Sequence, residues 1–354
     1  MNDADPIARH PRGSLGAGAV RRRWLPGWLP LEGRELAALA VAGLVLALLP
    51  LAVTDSYTRH LLILVFIYAI VAASWDLSLG YAGIFNFGHL ALFAVGLYTY
   101  ALATKFGGVN GWAAIALSGV TAMVVAAIVT VPILRLKGIY IILVTFAFSQ
   151  LLLQLVVSQS DWTGGTLGMT GVPPLRLPGH NFLRDGRIGY YYTALALLAV
   201  CIVFLRVYVA SALGRSVIAL RDNEDYAVAR GISLARQRLL TMVASAVFTG
   251  MAGGLYGAYV RNASIEAFGI GLLTLILSAV LLGGTATIYG AVIAAFALVF
   301  LDEAMIEFGA WRPITIAGLI IAVILIYPGG LYGGLRALAG LARRGVSRIG
   351  GRKP

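Results

Sequence analysis

Charge is what this chain has least of. Asp, Glu, Lys and Arg make up 12% of its 354 residues, about half the share in an ordinary soluble domain. So few charges cannot coat a globular surface in water, which excludes a soluble enzyme. Lysine is nearly missing. Lys105, Lys137 and Lys353 are the only three, and none follows the glycine that a phosphate-binding G-x-x-x-x-G-K-[ST] loop needs. The single cysteine, Cys201, permits neither an intrachain disulfide nor a cysteine metal cluster. His10, His60, His89 and His180 stand apart, with no His-x-x-x-His pair. The expectation is a chain without catalytic residues, metal or cofactor.

Apolar residues, by contrast, make up 60% of the chain, and the mean hydropathy is +0.88. A helix rises about 1.5 Å per residue, so crossing a ~30 Å hydrocarbon core takes about 20 mostly apolar residues. Such runs recur at 36–53, 61–79, 85–104, 111–134, 138–158, 188–205, 239–260, 267–282, 288–301 and 313–328. Two uncharged stretches are too long for one crossing. They predict broken helices near 80–88, around Gly80-Tyr81-Ala82-Gly83, and near 283–290, around Gly283-Gly284-Thr285. Irregular backbone at that depth must be buried in protein or line a wet cavity. The fold class is therefore all-α: a polytopic membrane helix bundle of about ten transmembrane helices, with eight as the lower bound.

The net charge of +12 has two readings, nucleic-acid binding or membrane topology, and the placement of the charges decides. With ten spans, one side collects 20 of the 27 basic residues, in the N-terminal tail, the turn at 135–137, the loop 206–238 and the C-terminal tail. The other side holds Arg59, Lys105, Arg176, Arg184, Arg187, Arg261 and Arg312. Acidic residues divide evenly, so the excess is a topology signal. It predicts both termini in the cytoplasm and no nucleic-acid partner. The chain divides into a basic flexible tail (1–35), a membrane domain (36–335) and a second basic tail (336–354). Within the membrane domain, 159–187 is an external Gly/Pro-rich loop and 206–238 a cytoplasmic one.

The 43 glycines point to close helix packing. Gly250 with Gly254, and Gly253 with Gly257, are pairs at i, i+4 that give one helix a smooth face. Few polar residues fall within the spans, where they are costly and tend to be functional. Asp76 either snorkels to the interface or caps the break that follows it. His89 either binds substrate or hydrogen-bonds freed backbone carbonyls. Asn86, Thr145 and Gln150 complete the candidate pathway, with Gln154 on the face of Gln150.

The most distinctive polar segment is 211–238. Asp222 or Asn223 can cap a short helix, Glu224 and Asp225 suit its positive end, and Gly231 ends it. Such a helix is either a plain connector or a piece that docks into a groove on another protein.

Asp225-Tyr-Ala-x-x-x-Gly231 resembles the Glu-Ala-Ala-x-x-x-Gly loop of ABC importer permeases. The run from Gly214-Arg215 through Arg221-Asp-Asn-Glu224 and Ala227 to Gly231 is similar to the branched-chain amino acid permease family, LivM-type subunit. So are Leu79-Gly-Tyr-Ala-Gly83 with Gly88-His89, Phe93 and Gly96-x-Tyr98. Leu134-Arg-Leu-x-Gly138-x-Tyr140, Gly164-Gly-Thr-x-Gly168, Gly250-x-x-Gly-Gly254-x-Leu-Tyr256 and Tyr327-Pro-Gly-Gly-Leu331 fit as well. Family members often carry Gln and Ser after Gly-Tyr-Ala-Gly; Ile84 and Asn86 stand there instead, which bears on solute identity. Asp225 and Tyr226 alter the docking element without removing it.

The resemblance implies an ABC importer permease in the cytoplasmic (inner) membrane of a bacterium, carrying branched-chain amino acids or similar small polar solutes. Its partners would be a second, LivH-like permease subunit, two ABC ATPases that hold ATP and Mg, and an extracytoplasmic solute-binding protein. Arg221, Asp222, Asn223, Glu224, Asp225, Ala227 and Gly231 would form the ATPase-docking segment. The competing reading is an ATP-independent carrier or channel.

Overall fold

The computed structural model describes residues 33–52, 55–177, 180–182, 187–326, 330, 331 and 333. The basic stretches 1–32 and 336–354, and Tyr327-Pro-Gly of the closing motif, lie outside the described residues.

Ten helices of 14 residues or more follow the apolar runs closely: α1 Gly33–Ala52, α2 Ser56–Asp76, α3 His89–Lys105, α4 Gly111–Ile133, α5 Ile139–Ser158, α7 Ile188–Ala210, α10 Leu234–Val260, α11 Ile270–Gly283, α12 Ile288–Ala304 and α13 Arg312–Ile326. Three short helices join them: α6 Ser160–Thr163, α8 Ala212–Asp222 and α9 Glu224–Ala229. Among the described residues, five helices are long and apolar enough to cross a membrane: α2 with its extension to Tyr81, α4, α5, α7 and α10.

Capping residues set several starts. Asp55 accepts the Thr58 amide at 2.9 Å, Asn110 that of Trp112 at 3.0 Å and Ser211 that of Gly214 at 3.3 Å. Each satisfies a donor that the helix itself leaves open. The stretch 206–238, expected as a cytoplasmic loop, is largely helical. Helix α7 continues to Ala210 and α10 starts at Leu234. Arg206 and Arg236 therefore sit on helix ends, where long cationic side chains can reach polar surroundings. Arg206 lies over the Tyr289 ring at 5.4 Å.

Helix α2 is the hub, with residues 61–76 buried apart from Leu64 and Tyr68. Helices α7, α10, α11 and α12 pack around it, and α3 and α4 pack on α10. The glycines of α10 serve two neighbours rather than one smooth face. A Cβ on Gly250 would strike Ser118 O and Ala122 of α4, and one on Gly254 would reach Ser118 Oγ at 2.6 Å. A Cβ on Gly253 would strike Phe93 O of α3, and one on Gly257 would meet Leu97 at 2.7 Å. Ser118 Oγ also donates to Gly96 O at 2.8 Å, joining α3 to α4.

Two sets of connections collect at opposite ends of the bundle. At one end, β1 (Met169–Thr170) in the 159–187 loop pairs antiparallel with β4 (Asn262–Ala263) after α10. Lys105 donates to Thr170 O at 2.9 Å there, and His60 Nδ1 lies 2.5 Å from Tyr259 OH. The loop also forms a small hairpin of β2 (Arg176–Leu177) and β3 (His180–Asn181). It is thus pinned to the bundle rather than a plain connector. At the other end, the 134–138 turn meets α8, α9 and the start of α10, with Arg238 donating to Leu136 O at 3.2 Å. The charge count separates the same segments onto the same two sides.

Candidate translocation and docking site

The two helix breaks meet in the core. Helix α2 passes into a π-helical turn, Leu77–Tyr81, and the chain is non-helical from there to His89. The second break is shorter than expected, 284–287, because Gly283 still ends α11 and Ile288 begins α12. Gly283 and Gly290 let those two helices touch through backbone; a Cβ on either would overlap the other. The Thr287 hydroxyl donates to Gly283 O at 3.2 Å and to Gly284 O.

Asp76 does not snorkel, nor does it cap the break that follows it. It is fully buried, and its Oδ1 accepts the Ala286 amide of the other break at 2.8 Å. A Cβ on Gly80 would overlap both Asp76 Oδ1 and Ala286 N, so only glycine lets the π-turn settle here. An amide freed by one broken helix is therefore satisfied by a carboxylate from another, as buried backbone requires.

In the first break, buried Asn86 turns its Oδ1 to the Gly88 amide at 2.9 Å, while its Nδ2 lies 3.8 Å from Met242 Sδ. Thr145 of α5 accepts the Phe87 amide at 3.0 Å and donates to Ile141 O at 2.8 Å. His89 bonds no backbone carbonyl: Nε2 lies 2.8 Å from Thr249 Oγ1, and its ring stacks on Trp75 at 5.4 Å. A hydroxyl was available on α10, and a stacked imidazole can reach it without unwinding the turn. Asn86, His89 and Thr145 thus gather at one break. Gln150, half-buried, lies more than a turn further along α5, and Gln154 is exposed.

The candidate docking segment, 221–231, falls on two helices. Asp222 ends α8 and pairs with its neighbour Arg221 at 2.8 Å, which leaves Asn223 to cap α9 through the Tyr226 amide at 2.9 Å. Gly231 ends it at φ +85°. Glu224 is a tether, reaching Lys137 Nζ at 2.9 Å and Arg238 Nη2 at 3.1 Å. The bond to Glu224, with its charge, holds the Lys137 ammonium above its ordinary range. Ala227 is buried as the anchor, so Asp225, Tyr226, Val228 and Arg230 form the outward face. Arg221 turns inward and donates to Gly80 O at 2.9 Å. The candidate docking segment therefore touches the backbone of the first break directly.

Sequence reasoning missed Thr249, Gln237 and the Arg221–Gly80 link. The first two carried a signal: Gln237, Thr241, Ser245 and Thr249 recur at i, i+4 on α10, and all are buried. The link carried none, because its partners lie 141 positions apart.

The family model described as the branched-chain amino acid transport system permease component matches residues 57–327. The chain belongs to that family. The match takes in both breaks and the docking segment. The permease is similar to the high-affinity branched-chain amino acid transport system permease protein LivM of Escherichia coli, 29% identical over 312 residues, which cover 82% of this chain and 73% of the relative. The Salmonella typhimurium protein of the same name is 28% identical over 75% of this chain and 67% of its own. A probable branched-chain amino acid transport permease protein LivM of Methanocaldococcus jannaschii is 25% identical over 57% of this chain and 67% of its own. No solved structure matches the permease. It is a multi-pass membrane protein and a transport component rather than an enzyme.

Proposed function

We propose that this permease is one of two membrane subunits of an ABC importer in a bacterial inner membrane, moving branched-chain amino acids by alternating access. Both termini lie in the cytoplasm, and the basic tails 1–35 and 336–354 flank a single membrane domain of ten spans. The observation that carries the reading is the α8–α9 unit. It stands at the basic end of the bundle, presents an exposed face, and grips the first helix break through Arg221. A partner ATPase seated on that face would move Gly80, and with it the junction at Asp76. ATP, Mg and hydrolysis belong to the partner, and no cofactor resides in this chain. Arg221 to Asp225, Ala227 and Gly231 make up the docking segment, of which Glu224 and Ala227 fix its position. Asn86, His89, Thr145 and Gln150 border the solute path. A LivH-like second permease, two ATPases and an extracytoplasmic solute-binding protein complete the assembly.

The test is uptake of labelled L-leucine by proteoliposomes holding all subunits, with and without the ATPases. Val228→Glu, on the exposed face of α9, is expected to abolish ATP-dependent uptake and to release the ATPase in pull-down. Uptake that persists without ATPase would establish an ATP-independent carrier instead. Full uptake by the variant would overturn the docking role.

A further inference from the structure

A cavity of about 260 Å³ opens where the first break, the 137–141 turn, α8 and α10 converge. It is smaller than the roughly 300–1,000 Å³ of drug-sized sites, which restricts it to a small ligand. Its chemistry has three parts. Ile84, Ile141, Val217 and Leu220, all buried, supply an aliphatic wall. Three cations, Lys137, Arg221 and Arg238, face two carboxylates, Asp222 and Glu224. Gln237, 9% exposed, lines the space with an Oε1 that has no hydrogen-bond partner among the described residues.

A buried acceptor without a donor costs about 1–3 kcal/mol, so it points to a ligand that donates. Among the lining side chains cations outnumber carboxylates by one, which admits an anionic end on the same ligand. Lys137 can supply it: Glu224 holds two cations, and Arg238 still neutralises it if Lys137 swings away. The Lys137 side chain is 72% exposed and has room to move. A carboxylate alone leaves Gln237 without a donor, and an amine alone adds to the positive surplus. An aliphatic zwitterion meets all three demands.

We infer that this cavity is a binding site for an aliphatic α-amino acid at the docking end of the bundle, with the ammonium on Gln237 Oε1, the carboxylate on Lys137 and the side chain against Ile84 and Ile141. The inference rests on the transport reading above and deepens it. Transported solute is held once more beside the docking helix, whose Arg221, Asp222 and Glu224 form one wall, so occupancy steadies that helix.

The experiment is ligand-dependent melting of the assembled transporter in nanodiscs, without binding protein or nucleotide. The ligands are L-leucine, 4-methylpentanoate (leucine without its ammonium) and isoamylamine (leucine without its carboxylate). L-Leucine alone is expected to protect. Gln237→Leu should weaken that protection about tenfold or more. Gln237→Glu, which keeps an acceptor, should retain it. Lys137→Gln, at an exposed position, tests the carboxylate end independently and should weaken it as well. Equal protection of wild type, Gln237→Leu and Lys137→Gln by L-leucine, or protection by the acid or amine as strong as by L-leucine, would overturn the site. Leucine uptake by the wild type in the presence of ATPase and binding protein is measured alongside. Uptake with unaltered protection defeats the cavity alone, whereas no leucine uptake by the wild type defeats the transport reading.

Discussion

Gly253→Ala puts the packing of the hub to the test with one methyl group. Gly253 lies where α10 crosses α3, and the new Cβ would land on Phe93 O, far inside van der Waals contact with a backbone atom. A flexible side chain could move aside; a helical carbonyl cannot without carrying α3 with it. Overpacking of this kind costs about 1–3 kcal/mol. If α3 retreats, the 2.8 Å bond from Ser118 to Gly96 O stretches, adding about 0.5–1.5 kcal/mol. The expected loss is therefore about 1.5–4.5 kcal/mol, which multiplies the unfolded fraction by at least tenfold. Gly43→Ala is the matched control, because a Cβ there meets nothing within 4 Å. Relief of glycine's conformational freedom in a helix is worth about 0.5–1 kcal/mol, so this variant should be neutral or slightly more stable. The assay is thermal denaturation of the detergent-solubilised permease, followed by the loss of its monodisperse chromatographic peak. The close-approach argument is refuted if the two variants melt together.

Asp76→Ala strands the Ala286 amide in the core and should cost about 1–3 kcal/mol in the same assay, whereas Asp76→Asn keeps an oxygen for it and should lose far less. Arg221→Ala removes the bond to Gly80 O and, in the reconstituted transporter, should lower solute moved per ATP hydrolysed while ATPase turnover persists. Asn223→Ala removes the α9 cap and should raise amide exchange across Glu224–Ala229 several-fold, consistent with about 1 kcal/mol. The Thr58 amide and hydroxyl hold the Asp55 carboxyl below its ordinary 3.8. Its contribution is therefore present above that value and lost as pH falls through the lowered one. The melting difference between wild type and Asp55→Ala should be constant at neutral pH and vanish in acid. Lys137, raised above 10.5, loses its contribution only as pH climbs through that higher value, so Lys137→Gln should show a pH-independent difference across the neutral range.

The helices were legible because their cause is local. An apolar run long enough to span is written in consecutive residues, and α4 and α5 fall within a residue or two of the expected bounds. The helices run past the apolar windows where a charged residue sits inside a helix end, as at Arg206 and Arg236, since hydropathy stops at the charge and the backbone does not. The helix expected near 222–231 is preceded by a second, α8, whose buried Gly214, Val217 and Leu220 recur at i, i+3. The glycine pairs of α10 announced close packing but not its direction. Residues three and four apart fan out around the helix, so successive glycines could meet two neighbours as easily as one.

The site was half legible for a different reason. Sequence names the residues that are expensive to bury, and it named Asp76, Asn86 and His89 correctly as unusual. Asn86 is compensated within its own break, by the Gly88 amide, but what compensates Asp76 and His89 lies elsewhere in the chain. For Asp76 it is an amide 210 positions away, and for His89 a hydroxyl 160 positions away. Both partners come from the other half of the bundle, so each buried polar group closes a contact between distant helices instead of serving its own turn. That is also why a solute path could coexist with so few polar side chains. The polar surface at the junction is largely backbone, exposed by the two breaks and satisfied by a handful of long-range bonds. Arg221, on the candidate docking segment, belongs to the same set through its bond to Gly80 O. Gly80 lies within the π-turn, so that bond joins the α8–α9 unit directly to the first break.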